Sequence, residues 1–335
     1  MKVAVYSTKG FEQPYLEKAN QDKHTLLFLA EALSPGTIHL AKGCEAVSIF
    51  TNDDASSEVL QRLSDAGVKS VATRAAGFDN IDLKKAETLG QTVANVPAYS
   101  PYAIAEHTMA MILAMNRNIV RADKQVKNFN FSLDNLVGFD LHGKTVGIIG
   151  LGRIGGILVK ILHGFGCKVL GVDLQEDKTL VEKYGLKYVD LPTLCRQADI
   201  ISLHAPLNLQ TKYMINKDTL GLMKNGVMLV NTGRGGLIQT RDAIDALKTG
   251  KIGYLGLDVY ENEKGLFFKD HSNDLLLDDT FARLLTFKNV LVTGHQAFLT
   301  QNALENIADT TLYNLNCFAQ GIPSKHQLTS HVHQI

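Results

Sequence analysis

Short apolar runs recur along the whole chain, and between them lie longer stretches in which apolar positions return with a helical period. Runs bounded by polar or glycine-containing turns read as buried strands, so the alternation predicts an α/β protein with parallel sheets covered by helices. In the first hundred residues the predicted strands are 3–6, 47–50, 70–73 and 92–96, with a helix across 56–66. They suffice for one small doubly wound unit. A second series at 145–149, 168–172, 200–203, 227–230, 255–257 and 290–292 supplies six runs, enough for a complete nucleotide-binding sheet. Between the two series, 103–127 reads as one long helix whose Ala, Met, Ile and Leu face needs either the core or a second subunit to cover it. After residue 298 only a helical segment at 302–318 and a polar tail remain, too little for a third domain. That segment is expected to pack back on the first unit. The predicted division is therefore a discontinuous domain of 1–100 plus 298–335 and a second domain of 101–297.

Composition narrows the partner. The 335 residues carry 34 Lys+Arg against 34 Asp+Glu, a net charge of zero, and 45% are hydrophobic. That is an ordinary globular chain of two-domain length. Without a basic stripe there is no electrostatic footprint for nucleic acid and none for an anionic membrane surface, so a small molecule is the expected partner. Cys44, Cys167, Cys195 and Cys317 are far apart and form no CxxC pair, which points to buried thiols. His331 and His333 fall in the polar tail, and no metal site is expected. Met1-Lys2 precedes only four apolar residues before Ser7, too few for a signal-peptide core, and no run approaches a membrane span. A cytoplasmic location is expected.

The strongest local signal is Gly150-Leu151-Gly152-Arg153-Ile154-Gly155, placed between a predicted strand and a predicted helix. In such a turn the first glycine allows the sharp bend, the second lets backbone approach a pyrophosphate, and the third permits close helix–strand packing. The helix N-terminus offers its N–H groups to the phosphates. The next strand ends in Asp173, where an acid accepts hydrogen bonds from the adenosine ribose and repels a 2′-phosphate; no Arg follows in Leu174-Gln175-Glu176. NAD(H) is expected over NADP(H).

Ligands of open α/β sheets bind beyond the carboxyl ends of the strands. The later strands end in His204-Ala205-Pro206, in Asn231-Thr232-Gly233-Arg234, in Asp258-Val259-Tyr260-Glu261-Asn262-Glu263, and in Thr293-Gly294-His295. One Arg, several acids and one His thus converge on the edge where a nicotinamide would lie. Hydride transfer to a 2-oxo acid needs such a set. A planar guanidinium, Arg234, binds the carboxylate and polarises the carbonyl. A histidine, His295, can serve the alkoxide as proton donor, and an acid, Glu263, orients that His. Asp258, nearer its strand, is assigned to the nicotinamide ribose or amide. Taken singly, Arg234 also reads as a solvated surface charge, His295 as a structural histidine, and Glu261 or Glu263 as a residue that merely solvates its loop; jointly, on this edge, they read as a site.

These residues resemble the D-isomer-specific 2-hydroxyacid dehydrogenases, and within them the fermentative D-lactate dehydrogenases. The resemblance covers nearly the whole chain. It rests on Ala75-Ala-Gly-Phe-Asp-Asn-Ile-Asp82, Val96-Pro-Ala-Tyr-Ser-Pro101 with Ala105-Glu106-His107, the glycine motif, Met223-Lys-Asn-Gly-Val-Met228, Asn231-Thr-Gly-Arg-Gly235, Leu257-Asp-Val-Tyr-Glu-Asn-Glu263 and Gly294-His-Gln-Ala-Phe-Leu-Thr300. It implies a flavodoxin-like catalytic domain made of both termini and a Rossmann NAD-binding domain, with a cleft between them. The implied reaction is reversible hydride transfer between NADH and pyruvate giving D-lactate; another small 2-oxo acid, such as glyoxylate, hydroxypyruvate or a bulkier aliphatic acid, is the alternative substrate. The catalytic set it implies falls on Arg234, Glu263 and His295. Cofactor contacts carry over to Arg153, Ile154, Asp173, Ala205, Pro206, Thr211, Thr232, Gly233, Arg234 and Asp258. The amides of Ala76-Gly77 and the Tyr99 hydroxyl would hold the substrate carboxylate, and Phe298 with Phe50 would line the pocket around its methyl group. Gly233 stands where the family usually has Ser, and Thr211 where it often has Asn. The apolar face of the 103–127 helix makes a homodimer or homotetramer through it the expected assembly, with core packing as the alternative use of that face.

Overall fold

The computed structural model describes residues 1–329. His331 and His333 lie outside the described residues. The chain divides into two compact units, Met1–Ser100 with the segment from Leu299 onward, and Pro101–Phe298.

The first unit opens with β1 (Lys2–Val5), α1 (Gln13–Asn20), β2 (Thr25–Phe28), β3 (Ala46–Ile49), α2 (Ser57–Asp65), β4 (Ser70–Thr73), α3 (Leu83–Thr88) and β5 (Thr92–Ala94). All five strands are parallel, in the order β2-β1-β3-β4-β5. This is the flavodoxin-like order, with its switch point between β1 and β3. The fifth strand, β2, was not among the predicted runs. It is a four-residue edge strand with partial burial, and its Leu26-Leu27-Phe28-Leu29 run has no alternation to separate it from a buried helix turn.

The second unit contains α4 (Pro101–Asn116), α5 (Ile119–Lys127), β6 (Thr145–Ile149), α6 (Arg153–Gly164), β7 (Lys168–Val172), α7 (Lys178–Tyr184), β8 (Lys187–Tyr188), α8 (Leu191–Gln197), β9 (Ile200–Leu203), α9 (Lys217–Leu222), β10 (Val227–Asn231), α10 (Thr240–Lys248), β11 (Ile252–Leu257), α11 (Asp279–Leu285) and β12 (Val290–Val292). Its parallel sheet runs β12-β11-β10-β9-β6-β7-β8, so the chain reverses direction across the sheet between β6 and β9. The predicted six strands become seven, because the two-residue β8 adds to the far edge. The chain then returns to the first unit through α12 (Gln301–Gln320), whose Ala308, Leu312 and Leu315 are buried with Val3, Val5 and Leu16 on one face of that sheet. The other face carries Val59, Leu60 and Leu63 of α2.

The predicted single helix over 103–127 is two. Asn118 adopts a left-handed backbone (φ 52°), which ends α4 and restarts the chain as α5. The break separates two roles that one periodic pattern had merged. Met109, Met111, Ile112 and Met115 of α4 are buried in the core of the second unit, whereas α5 buries no residue.

Candidate active site

The turn from β6 into α6 shows why each glycine is needed. Gly150 has φ 91°, and a Cβ there would lie 2.5 Å from the Ala205 nitrogen. A Cβ on Gly155 would lie 2.1 Å from the Gly150 carbonyl oxygen. Gly152, by contrast, meets nothing within 4 Å, so the fold itself does not require a glycine there. Gly152 is also the N-cap of the twelve-residue α6 and gives it no side-chain cap, leaving the first-turn N–H groups to an anion. Asp173 at the end of β7 accepts the Leu151 N–H at 2.5 Å through one oxygen, which fixes the glycine loop; the other accepts the Gln175 N–H at 3.2 Å. The residues present fit a dinucleotide.

Across the turn, Ala205 is buried and Pro206 exposed. His204 has its Nε2 2.8 Å from the Ser202 hydroxyl, and burial pushes its imidazole down to about 4, so it is neutral at physiological pH. Thr211 is turned inward on its own loop, its hydroxyl donating to the Pro206 carbonyl at 2.6 Å. That hydroxyl proton is therefore spent locally.

Arg234, Glu263 and His295 follow β10, β11 and β12, three neighbours in one parallel sheet, so all three leave the same edge. Asn231, fully buried, clamps the first turn: its Oδ1 accepts the Gly233 N–H at 3.0 Å and its Nδ2 donates to the Arg234 carbonyl at 2.9 Å. Gly235 lets the next turn press against it, since a Cβ there would lie 2.0 Å from the Tyr260 carbonyl carbon. At Gly233, where the family usually has Ser, an added Cβ would meet the Leu203 carbonyl at 3.3 Å.

His295 Nδ1 lies 2.8 Å from Glu263 Oε1, with both side chains mostly enclosed. A carboxylate only accepts, so Nδ1 carries the proton and Nε2 is the atom left for substrate. Glu263 Oε2 accepts the Tyr260 N–H at 3.2 Å. Glu261, ambiguous in the sequence, is a structural brace: its carboxylate accepts the Tyr213 hydroxyl at 2.8 Å and the Thr240 N–H at 3.1 Å.

Asp258, expected to meet the cofactor, is already engaged with the protein in the structure. It is fully buried, and its carboxylate accepts from the Thr293 hydroxyl at 2.5 Å and from the Gln296 and Ala297 N–H groups, both at 2.9 Å; its carbonyl accepts the His295 N–H at 2.7 Å. Burial works against its charge, but the hydrogen bonds from His107, Thr293, Ala297 and Gln296 outweigh it and hold the carboxyl below the usual range. The acid thus organises the 293–297 loop, where His295 itself has a left-handed backbone (φ 55°).

Sequence reasoning missed Phe268, whose ring centre lies 5.5 Å from that of His295. Its only sequence signal is the apolar Leu266-Phe267-Phe268 within a polar loop. It also missed Arg74, the largest fully buried side chain, which forms two 3.0 Å bonds to Glu12 and sits over the Phe50 ring. In the first unit, Ala76 and Gly77 follow β4, Phe50 is buried just after β3, and the half-buried Tyr99 accepts Asn306 Nδ2 on its carbonyl at 2.6 Å. Phe298 is buried at the end of the second unit.

A dinucleotide turn and an acid-paired histidine on one sheet edge define an NAD-dependent oxidoreductase. Residues 109–297 match the family model of the D-isomer specific 2-hydroxyacid dehydrogenase, NAD binding domain. The D-lactate dehydrogenase of Escherichia coli (strain K12) is 49% identical over 329 residues, covering 98% of this chain and all of that protein. Among solved structures, the pyruvate reductase of Chlamydomonas reinhardtii is 42% identical with a TM-score of 0.90 over 96% of this chain and 97% of that one. A D-lactate dehydrogenase from Aquifex aeolicus, complexed with NAD and lactic acid, is 35% identical with a TM-score of 0.86 over 95% and 96%. The chain belongs to the D-isomer specific 2-hydroxyacid dehydrogenase family.

Proposed function

We propose that this enzyme is a D-lactate dehydrogenase that interconverts pyruvate and D-lactate with NAD. The observation that carries the reading is the 2.8 Å pairing of His295 Nδ1 with Glu263, which leaves Nε2 to exchange a proton with substrate, as donor in the imidazolium and acceptor in the neutral ring, on the strand-end edge that also delivers Arg234. The names and identities of the relatives support the choice of substrate. When bound, the dihydronicotinamide supplies a hydride for C2 of the 2-oxo acid. The Arg234 guanidinium holds the carboxylate by two parallel N–H bonds and draws electron density from the adjacent carbonyl. His295 Nε2–H protonates the forming alkoxide, Glu263 balances the imidazolium, and the Phe268 ring shields that pair from water. In lactate oxidation the same atoms run in reverse. The α6 N-terminus at Gly152 and the free lone pairs of Asp173 hold the pyrophosphate and adenosine ribose.

The test is NADH and NADPH oxidation with a panel of pyruvate, glyoxylate, hydroxypyruvate and a branched 2-oxo acid, with the chirality of the product determined. The expected result is highest kcat/KM for pyruvate with NADH and a D product. An L product, comparable kcat/KM with NADPH, or a clear preference for another acid overturns the corresponding part.

We also propose a homodimer or homotetramer through the α5 side. Phe129, Phe131, Leu133 and Val137 are more than two-thirds exposed there, beside a cavity of about 1010 Å³ lined by Val120, Arg121, Tyr254 and Phe287. Light scattering that gives a monomer at micromolar concentration refutes this. Four free thiols, three of them buried, support a reducing, cytoplasmic setting. No helix among the described residues is long and apolar enough to cross a membrane.

A further inference from the structure

Two threonines occupy equivalent places on the reactive edge. Thr232 stands two residues before Arg234, and Thr293 two residues before His295. Both are held by consecutive residues of α4. The Thr108 hydroxyl donates to the Ile104 carbonyl at 2.8 Å, so at its 2.8 Å contact with Thr232 it accepts, and the Thr232 proton is committed to it. The Thr293 hydroxyl donates to Asp258 at 2.5 Å, so at its 3.2 Å contact with His107 it accepts from Nε2–H. His107 Nε2 is also 3.5 Å from Asp258 Oδ1, which places its N–H between the two oxygens. Successive helical side chains point about 100° apart. α4 packs on β10 and β11, with Met115 lying where a Cβ on Gly256 would be, so the two directions diverge toward the ends of β10 and β12 on either side of β11.

We infer that His107 and Thr108 are a pair of positioning residues that set the separation of Arg234 from His295, each tying one strand-end loop to the same rigid helix. This rests on the assignment of Arg234 and His295 to the reacting set. Neither residue needs to touch substrate. A misplacement of about 1 Å in a reacting group costs on the order of 100-fold in rate, so small slips of either loop are visible in turnover. Neither residue contacts the glycine turn, where the pyrophosphate and adenosine ribose would be held, so most of the grip on the cofactor is retained even where the contacts assigned to Thr232 and Asp258 shift.

The test compares His107→Ala, His107→Gln, Thr108→Val and Thr108→Ser in the full chain. Measured are kcat and KM for pyruvate, the NADH Kd by fluorescence, and Tm. His107→Ala and Thr108→Val are expected to lose about 10- to 100-fold in kcat/KM, mostly in kcat, with the NADH Kd within about 2-fold of wild type. Gln, which keeps an N–H near Nε2, and Ser, which keeps the hydroxyl, are expected to recover most of that loss. Unchanged kcat in His107→Ala or Thr108→Val overturns the inference, as does a loss that Gln and Ser do not relieve or that tracks Tm and the NADH Kd. Thr108→Val is nearly isosteric and decides the matter if His107→Ala fails to fold. A wild type that reduces no 2-oxo acid refutes the proposed function instead, whereas an active wild type with unaffected variants refutes the positioning role alone.

Discussion

Replacing Glu263 by Gln removes one charge and little else. The amide oxygen can still accept from His295 Nδ1–H, so tautomer and ring orientation survive and only the support of the imidazolium is lost. Unit charges about 4 Å apart attract by about 4 kcal/mol at an effective dielectric constant of about 20. Both side chains keep some solvent access, at 16% and 15%, and the proton is only partly transferred in the transition state. Counting half leaves about 2 kcal/mol, or about 30-fold at about 1.36 kcal/mol per decade. The assay is steady-state kcat/KM at one pH in both directions, pyruvate with NADH and D-lactate with NAD. Because the substitution cannot alter the overall equilibrium, the two values must fall by the same factor if cofactor affinities are unchanged. A kcat/KM within about 3-fold of wild type in both directions refutes the role of Glu263; unequal losses with unchanged cofactor affinities show that the comparison is internally inconsistent.

Arg234→Lys keeps the charge but not the two-pronged geometry; kcat/KM for pyruvate should fall by about 100-fold while the NADH Kd holds, a loss typical of a misplaced substrate clamp. Gly155→Ala forces a methyl group 2.1 Å from the Gly150 oxygen, so the protein should lose about 1–3 kcal/mol in denaturant unfolding; an unaltered midpoint would show that the turn yields freely. Asp258 has a folded-state pKa below its unfolded value, so its contribution is present above the unfolded value and is lost as pH falls through the folded one. Asp258→Asn should therefore destabilise the protein near neutrality more than at about pH 3, read from Tm against pH; an equal loss at both pH values sinks the linkage argument.

The residues proposed as acid, partner and substrate clamp could be grouped from sequence because a parallel sheet converts sequence order into place. Whatever follows a buried apolar run leaves the same edge, so Arg234, Glu263 and His295 could be collected without a structure. Edge strands escaped for the converse reason: β2 and β8 are short and only partly covered, and they carry no pattern distinct from their surroundings. The end of α4 escaped because a single left-handed Asn118 leaves the apolar periodicity intact on both sides. The bracing of the site was illegible in kind. His107 meets Thr293 across 186 residues and Thr108 meets Thr232 across 124, and no local pattern encodes such pairs. Asp258 was found as an acid near the chemistry, but its partners are backbone N–H groups of another loop, which only coordinates reveal.

The three glycines of the β6–α6 turn fail in different currencies of measurement. Alanine at Gly150 or Gly155 meets protein atoms and should be visible in any melting curve, whereas alanine at Gly152 meets open space. Cofactor-free protein carrying Gly152→Ala should melt with the wild type. Its defect should appear only as a smaller rise in Tm on adding NADH, because ligand-linked stabilisation grows with the logarithm of concentration over Kd. A thermal screen run without cofactor would thus pass as neutral the one glycine of the three that the fold itself does not require.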